Sequence, residues 1–188
     1  NAVSGDWGGA PLGDLKKGWA AALQRYSFLD GNEACALGAG YGGYMVYWMA
    51  GVWNQPWKCL VDHDGVFDTR MMAYATDELW FEDHENGGTQ YEHPQNYEKF
   101  NPLEHVAQWR VPMLIVHSGH DFRIPDSQGI AAFTALQRRG IPSKLLYFPD
   151  ESHWVQKPHN SVLWHDTVID WLKEWTGGKA SQATSTTR

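Results

Sequence analysis

Leu37-Gly38-Ala39-Gly40-Tyr41-Gly42-Gly43-Tyr44 follows a short unbroken apolar run, Ala34-Cys35-Ala36-Leu37, and opens a segment of helical apolar spacing from Tyr41 to about Val52. A buried strand that turns on glycines into a helix is the position of a nucleophile elbow, Gly-x-Ser-x-Gly. There a strained turn lifts one side chain to the top of a sheet, and the flanking glycines avoid a collision of Cβ with the adjoining strand and helix. The frame here is Gly38-x-Gly40-x-Gly42, so glycine stands where the nucleophile would be. A nucleotide-binding loop is the rival reading. Its pattern Gly-x-Gly-x-x-Gly is met only through Gly43, and it needs a carboxylate at the end of the next strand, a part for Asp62 or Asp64.

Outward from this turn the chain alternates. Asp14 is expected to cap a helix to about Tyr26 after a glycine-rich loop over residues 1–13, and Asp30-Gly31-Asn32 breaks it. Lys58-Cys59-Leu60-Val61, Met113-Leu114-Ile115-Val116 and Lys144-Leu145-Leu146-Tyr147-Phe148 read as further strands, all expected to be buried on both faces like the first. Helices are predicted from about Asp126 to Arg139 and from about His159 to Trp175, with an excursion of short helices and loops over residues 77–108. Alternating strands and helices imply an α/β domain with a mostly parallel sheet and right-handed crossovers. Residues 176–188 form a low-hydrophobicity tail expected to be disordered.

Composition narrows the function. The chain has 188 residues, 43% of them hydrophobic, with 11 Trp, 8 Tyr and 7 Phe, enough for a substantial core. Its net charge of −7, with no basic block, would repel a phosphate backbone, which argues against nucleic acid as a partner. No stretch reaches the roughly 18 apolar residues of a membrane span. Cys35 and Cys59 read first as buried free thiols and second as one disulfide. The nine histidines form neither a His-Glu-x-x-His helix nor a paired Cys/His cluster, so neither a metal nor any other cofactor is expected.

Two strand-end loops decide between the readings of the glycine turn: His117-Ser118-Gly119-His120-Asp121-Phe122-Arg123-Ile124-Pro125 and Pro149-Asp150-Glu151-Ser152-His153-Trp154. Taken singly, an Asp beside an Arg is usually a solvated ion pair, and a lone loop His is usually structural. Nucleophile position, Asp121 and His153 in that chain order match the α/β-hydrolase order.

Together with Trp7-Gly8-Gly9 and the run Ala36 to Met45, these motifs resemble the catalytic domain of the prolyl oligopeptidase family of serine peptidases over about residues 1–175. Val66-Phe67-Asp68-Thr69-Arg70 and Glu78-Leu79-Trp80-Phe81 are most similar to its bacterial dipeptidyl-peptidase and acylaminoacyl-peptidase branch. The resemblance implies the C-terminal part of an α/β-hydrolase sheet, with its earlier strands and a propeller domain lying outside this sequence. It implies His153 as general base, Asp121 as the carboxylate that orients it, and Gly40 in place of the family's serine. The Tyr41 backbone N–H becomes one oxyanion donor, and the second is a tyrosine hydroxyl upstream of residue 1. Tyr41, Phe67, Tyr74 and Ile124 would wall the pocket for the residue before the scissile bond. Arg123 would hold a substrate carbonyl, or pair with Asp121 or Asp126.

The implied activity is release of dipeptides or single acyl-amino acids from short peptides, lost here because Gly40 offers no atom to acylate. A peptide-binding pseudoenzyme and an esterase on the same fold are the alternatives. Expected partners are a short peptide, the missing segment or propeller, and a second copy of the chain. A periplasmic or secreted location is favoured over the cytoplasm.

Overall fold

The computed structural model describes residues 3–177; the tail expected to be disordered falls, beyond Gly177, outside the described residues. Helix α1 (Ala10–Arg25) is followed by strand β1 (Cys35–Ala39), α2 (Tyr41–Val52) and β2 (Cys59–His63). Then come α3 (Thr69–Ala75), α4 (Leu79–Asn86), α5 (Pro94–Glu98) and a 3-10 helix at Pro102–Gln108. Strand β3 (Met113–Ser118), α6 (Ser127–Arg138), β4 (Ser143–Phe148) and α7 (Pro158–Trp175) complete the order. The four strands form one parallel sheet in the order β1-β2-β3-β4.

Side-chain alternation along the strands explains the layers. Leu60, Met113 and Ile115 face one side, where they pack with Val46, Tyr47 and Ala50 of α2 and Ala132 and Leu136 of α6. Cys59, Val61, Leu114 and Val116 face the other, against Val168 and Trp171 of α7. Both central strands are therefore buried along their whole length. The outer two are not. Leu37 of β1 is 48% exposed and β4 is buried only at its end, because each has a neighbour on one side only among the described residues. The expectation that every strand is buried on both faces holds for β2 and β3 alone.

Two local expectations change. Helix α1 starts four residues before Asp14, with Pro11 in its first turn, where the missing N–H costs nothing. Its first amide, Ala10 N–H, donates to Asp6 Oδ2 at 2.8 Å, so Asp6 does the capping. In the second case, α3 forms where no helix was expected. Asp68 caps it by accepting from Arg70 N–H at 3.1 Å. The excursion over residues 77–108 is made of short helices and loops, as anticipated.

Cys35 and Cys59 are directly opposite one another in the β1–β2 ladder, with Cα atoms 4.7 Å apart, and they form a disulfide, which corrects the free-thiol reading. Being register partners in the parallel ladder puts the two side chains on the same face, where their sulfurs meet. The bond closes a loop of 24 residues that contains the glycine turn and all of α2. Replacing both cysteines with alanine is expected to lower unfolding stability by about 2–4 kcal/mol, read from urea denaturation of the oxidised parent and the double variant.

Candidate active site

The turn between β1 and α2 is built by two close approaches. A Cβ on Gly38 would lie 2.1 Å from the Gly42 carbonyl oxygen, so only glycine lets the strand end pass beneath the first turn of the helix. Gly40 itself has φ 57° and ψ −119°, a conformation costly for any other residue and tolerated where surrounding structure enforces it. Its amide donates to His63 O at 3.0 Å and to Asp64 Oδ1 at 3.1 Å. An ideal Cβ at position 40 would stand 3.5 Å from His153 Nε2, ordinary van der Waals contact with nothing closer. The site thus has room for a side chain pointed at the imidazole. Tyr41 follows as the first residue of α2, where a backbone N–H has no intrahelical acceptor and forms part of the positive end of the helix dipole.

Asp121 and His153 are brought to this turn by the loops after β3 and β4. Asp121 is 3% exposed; its Oδ1 accepts from the backbone N–H of Arg123 at 3.0 Å and of Ile124 at 2.9 Å. Its Oδ2 is 2.8 Å from His153 Nδ1. Glu151, also buried, clamps the second loop by accepting from Gln156 N–H, Lys157 N–H and Asn160 Nδ2. The Glu151 carbonyl accepts from His120 N–H at 2.9 Å, which ties the His153 loop to the Asp121 loop.

The hydrogen bond to Asp121 raises the His153 pKa above its usual 6.5, against burial and with help from the nearby Asp64 charge. His63 and His117 shift the opposite way, His63 to about 4 and His117 below its usual value, because burial disfavours their charged forms.

A cleft of about 430 Å³ opens beside Gly40 and His153. Of the residues expected to bind substrate, Tyr41, Arg123 and Ile124 line it. Phe67 does not; it is 2% exposed and packs in the core against Tyr47 and Trp109. Neither does Tyr74, which is 64% exposed and donates to Gln90 Oε1. Val66 and Met72 line the cleft instead, each a short step along the chain from the expected residue: the turn after β2 and the middle of α3 face them inward. Arg123 pairs with Asp77 at 2.8 Å and Glu78 at 3.2 Å, rather than with Asp121 or Asp126.

Phe81, Glu82 and Glu85 also line the cleft. Glu82 is 4% exposed, and burial pushes its pKa up to about 7 against the pull of Asn86. Nothing in the sequence singled out Glu82, since an acid on a short charged helix reads as solvated. Asp64, Asp121 and His153 offer atoms all within 4.8 Å of one another. His153 Nδ1 and Asp121 Oδ2 are already spent on each other, and Asp121 Oδ1 is taken up by two amides, so Asp121 and His153 form a hydrogen-bonded pair with the Asp64 carboxylate beside it.

A parallel sheet with helices on both faces, a glycine turn into a helix and an Asp–His pair on the next strand-end loops define an α/β-hydrolase. The chain belongs to the prolyl oligopeptidase family, whose profile matches residues 1–179. It is similar to dipeptidyl-peptidase 5 of Schizosaccharomyces pombe, 45% identical over 177 residues that cover 94% of this chain and 26% of that protein. Dipeptidyl-peptidase 5 of Aspergillus oryzae is 42% identical over 184 residues, covering 96% and 25%. The chain thus spans about a quarter of the length of these curated relatives. Among solved structures, Pyrococcus horikoshii acylaminoacyl peptidase superposes with a TM-score of 0.87 at 21% identity, over 93% of this chain and 29% of that one. A Mycobacterium tuberculosis puromycin-hydrolyzing peptidase gives 0.85 at 21% identity, over 94% and 27%.

His153 is expected to titrate above 6.5 by NMR, and Asp121→Asn to bring that value down. The sign follows for stability too: a raised histidine pKa favours the fold below 6.5, and that contribution is lost as pH rises through the folded value. Glu82 behaves in the same sense, with stability lost between its ordinary 4.5 and about 7; Glu82→Gln should flatten that part of the pH–stability curve.

Proposed function

We propose that this chain is the catalytic portion of a serine exopeptidase that releases dipeptides or single acyl-amino acids from short peptides, and that glycine at position 40 leaves it without the nucleophile. The observation that carries this reading is the space at Gly40, where a Cβ would meet only His153, at 3.5 Å from Nε2. A serine there would place Oγ one bond nearer to Nε2. His153 would take the Oγ proton as Oγ attacks the peptide carbonyl, and Asp121 would stabilise the resulting imidazolium through Nδ1. The Tyr41 N–H would face the developing oxyanion. The acyl-enzyme would then be hydrolysed by water activated by the same histidine.

With glycine in place no acyl-enzyme can form. Water-mediated hydrolysis alone leaves a catalyst several orders of magnitude slower than the complete triad. The fungal relatives named dipeptidyl-peptidase 5 support the dipeptide-releasing mode, and the acylaminoacyl peptidase shares the fold alone. The residues that grip the substrate's amino end would come from sequence outside this chain, with a propeller domain as the natural partner. The Cys35–Cys59 disulfide supports an oxidising compartment such as the periplasm or the extracellular space. Gly40 itself favours a second reading, a non-catalytic peptide binder that uses the same cleft.

The test is Gly40→Ser in the intact protein, assayed with dipeptidyl- and N-acetyl-aminoacyl-arylamides and with a fluorophosphonate. Labelling, together with a gain in kcat/KM of about 10³-fold or more over the glycine form, is expected. The substitution should also cost about 1–3 kcal/mol of stability, because serine at φ 57° is strained. A folded variant that binds peptide but neither labels nor turns over supports the binder.

A further inference from the structure

Asp64 stands one residue past the end of β2 with φ 45°, a left-handed backbone that few residues other than glycine adopt and that Asn and Asp tolerate best. It is 1% exposed. One carboxylate oxygen, Oδ1, accepts the Gly40 N–H at 3.1 Å. The other, Oδ2, is 3.4 Å from His153 Nδ1 and 3.3 Å from His63 Nε2, and has no hydrogen-bond partner. Leaving a buried carboxylate oxygen unbonded costs stability. Strained backbone and an orphaned polar atom at one residue are a pairing that functional sites sustain.

We infer that Asp64 is a positioning residue of the hydrolytic site: Oδ1 fixes the Gly40 amide of the elbow, and Oδ2 braces the Nδ1 edge of His153 beside Asp121. The inference rests on the reading of position 40 as the nucleophile's and His153 as the base. Asp121 already holds Nδ1 at 2.8 Å and sets the ring's tautomer. At 3.4 Å Asp64 is beyond a good hydrogen bond, so it acts through charge. When His153 takes up a proton, its imidazolium faces two carboxylates, and screening is weak at a buried pair. Because the same side chain holds the elbow amide, it also sets how far position 40 lies from the imidazole.

The groups around Asp64 and His153 come from every neighbouring element. Asp62 and His63 lie on β2, the Tyr47 hydroxyl on α2 and His117 on β3. Asp121 and Arg123 come from the loop after β3, and His153 from the loop after β4. Burial, and then the Asp121 carboxylate, push Asp64 up to about 7, while His153 and the Gly40 N–H pull the other way. Above that pH the ionised carboxylate makes His153 a stronger base; below it the brace is neutralised.

Asp64→Asn is the informative variant, because asparagine keeps the left-handed backbone and an acceptor for Gly40 N–H while removing the charge. It is made in the intact protein with Gly40 and again with Gly40→Ser. In the glycine form, NMR should show the His153 pKa lowered by about one unit. In the serine form, the acid limb of kcat/KM should move down by the same amount. There kcat should fall about tenfold with KM unchanged, tenfold being the rate equivalent of one pKa unit. Asp64→Gly, which removes the elbow anchor as well, should slow fluorophosphonate labelling further. An unmoved His153 pKa in a folded Asp64→Asn protein overturns the inference, whatever the serine form does. A lowered pKa combined with a serine form that neither labels nor turns over would instead sink the hydrolytic reading while leaving the brace in place.

Discussion

The contact on which the site depends is the passage of the β1 strand end beneath the first turn of α2. With 2.1 Å between a hypothetical Gly38 Cβ and the Gly42 oxygen, the helix can begin at once after the strand only because no side chain intervenes. That closeness forces Gly40 into its positive-φ turn, aims its Cα–Cβ direction at His153 and leaves the Tyr41 amide at an open helix N-terminus. Tyr44, Met45 and Tyr47, the next residues of α2, are then carried into the core. The rest of the fold supports this geometry from below: β2 and β3 are buried throughout, and the loops that follow them emerge at the same sheet edge as the turn.

Around that turn the loops are fixed by buried carboxylates that accept backbone amides. Asp121 holds Arg123 and Ile124, Glu151 holds Gln156 and Lys157, and Asp64 holds Gly40. Each converts an acid that would be expensive to bury into the staple of a tight turn. A histidine placed among them has its orientation set by several short loops at once. Its basicity follows from where the charges lie, with Asp121 and Asp64 both on the Nδ1 side and Nε2 left facing position 40.

Much of this was legible in the sequence, and the reasons for the rest are physical. The strand-turn-helix glycines and the two strand-end loops carried the fold and the Gly40–Asp121–His153 grouping, because backbone close approach and chain order leave marks in single letters. The disulfide did not, since Cys35 and Cys59 pair only through a strand register that no local pattern records. Phe67 and Tyr74, expected in the pocket wall, lie off the cleft that Val66 and Met72 line, because the turn after β2 and helix α3 decide which neighbour faces it. Asp64 was visible as a strand-end carboxylate, yet its meaning required knowing that a loop almost ninety residues later brings His153 against it. Asp6 replaced Asp14 as the cap of α1 because a proline in the first turn moved the helix start forward.

The free volume beside His153 bears on ancestry. Glycine codons of the GGU and GGC type differ from serine AGU and AGC by a single base, and a Cβ at position 40 would meet nothing closer than His153 Nε2 at 3.5 Å. Where a GGU or GGC codon encodes this glycine, serine is one base change away, and what such a change must meet is the positive-φ backbone rather than a crowded neighbour.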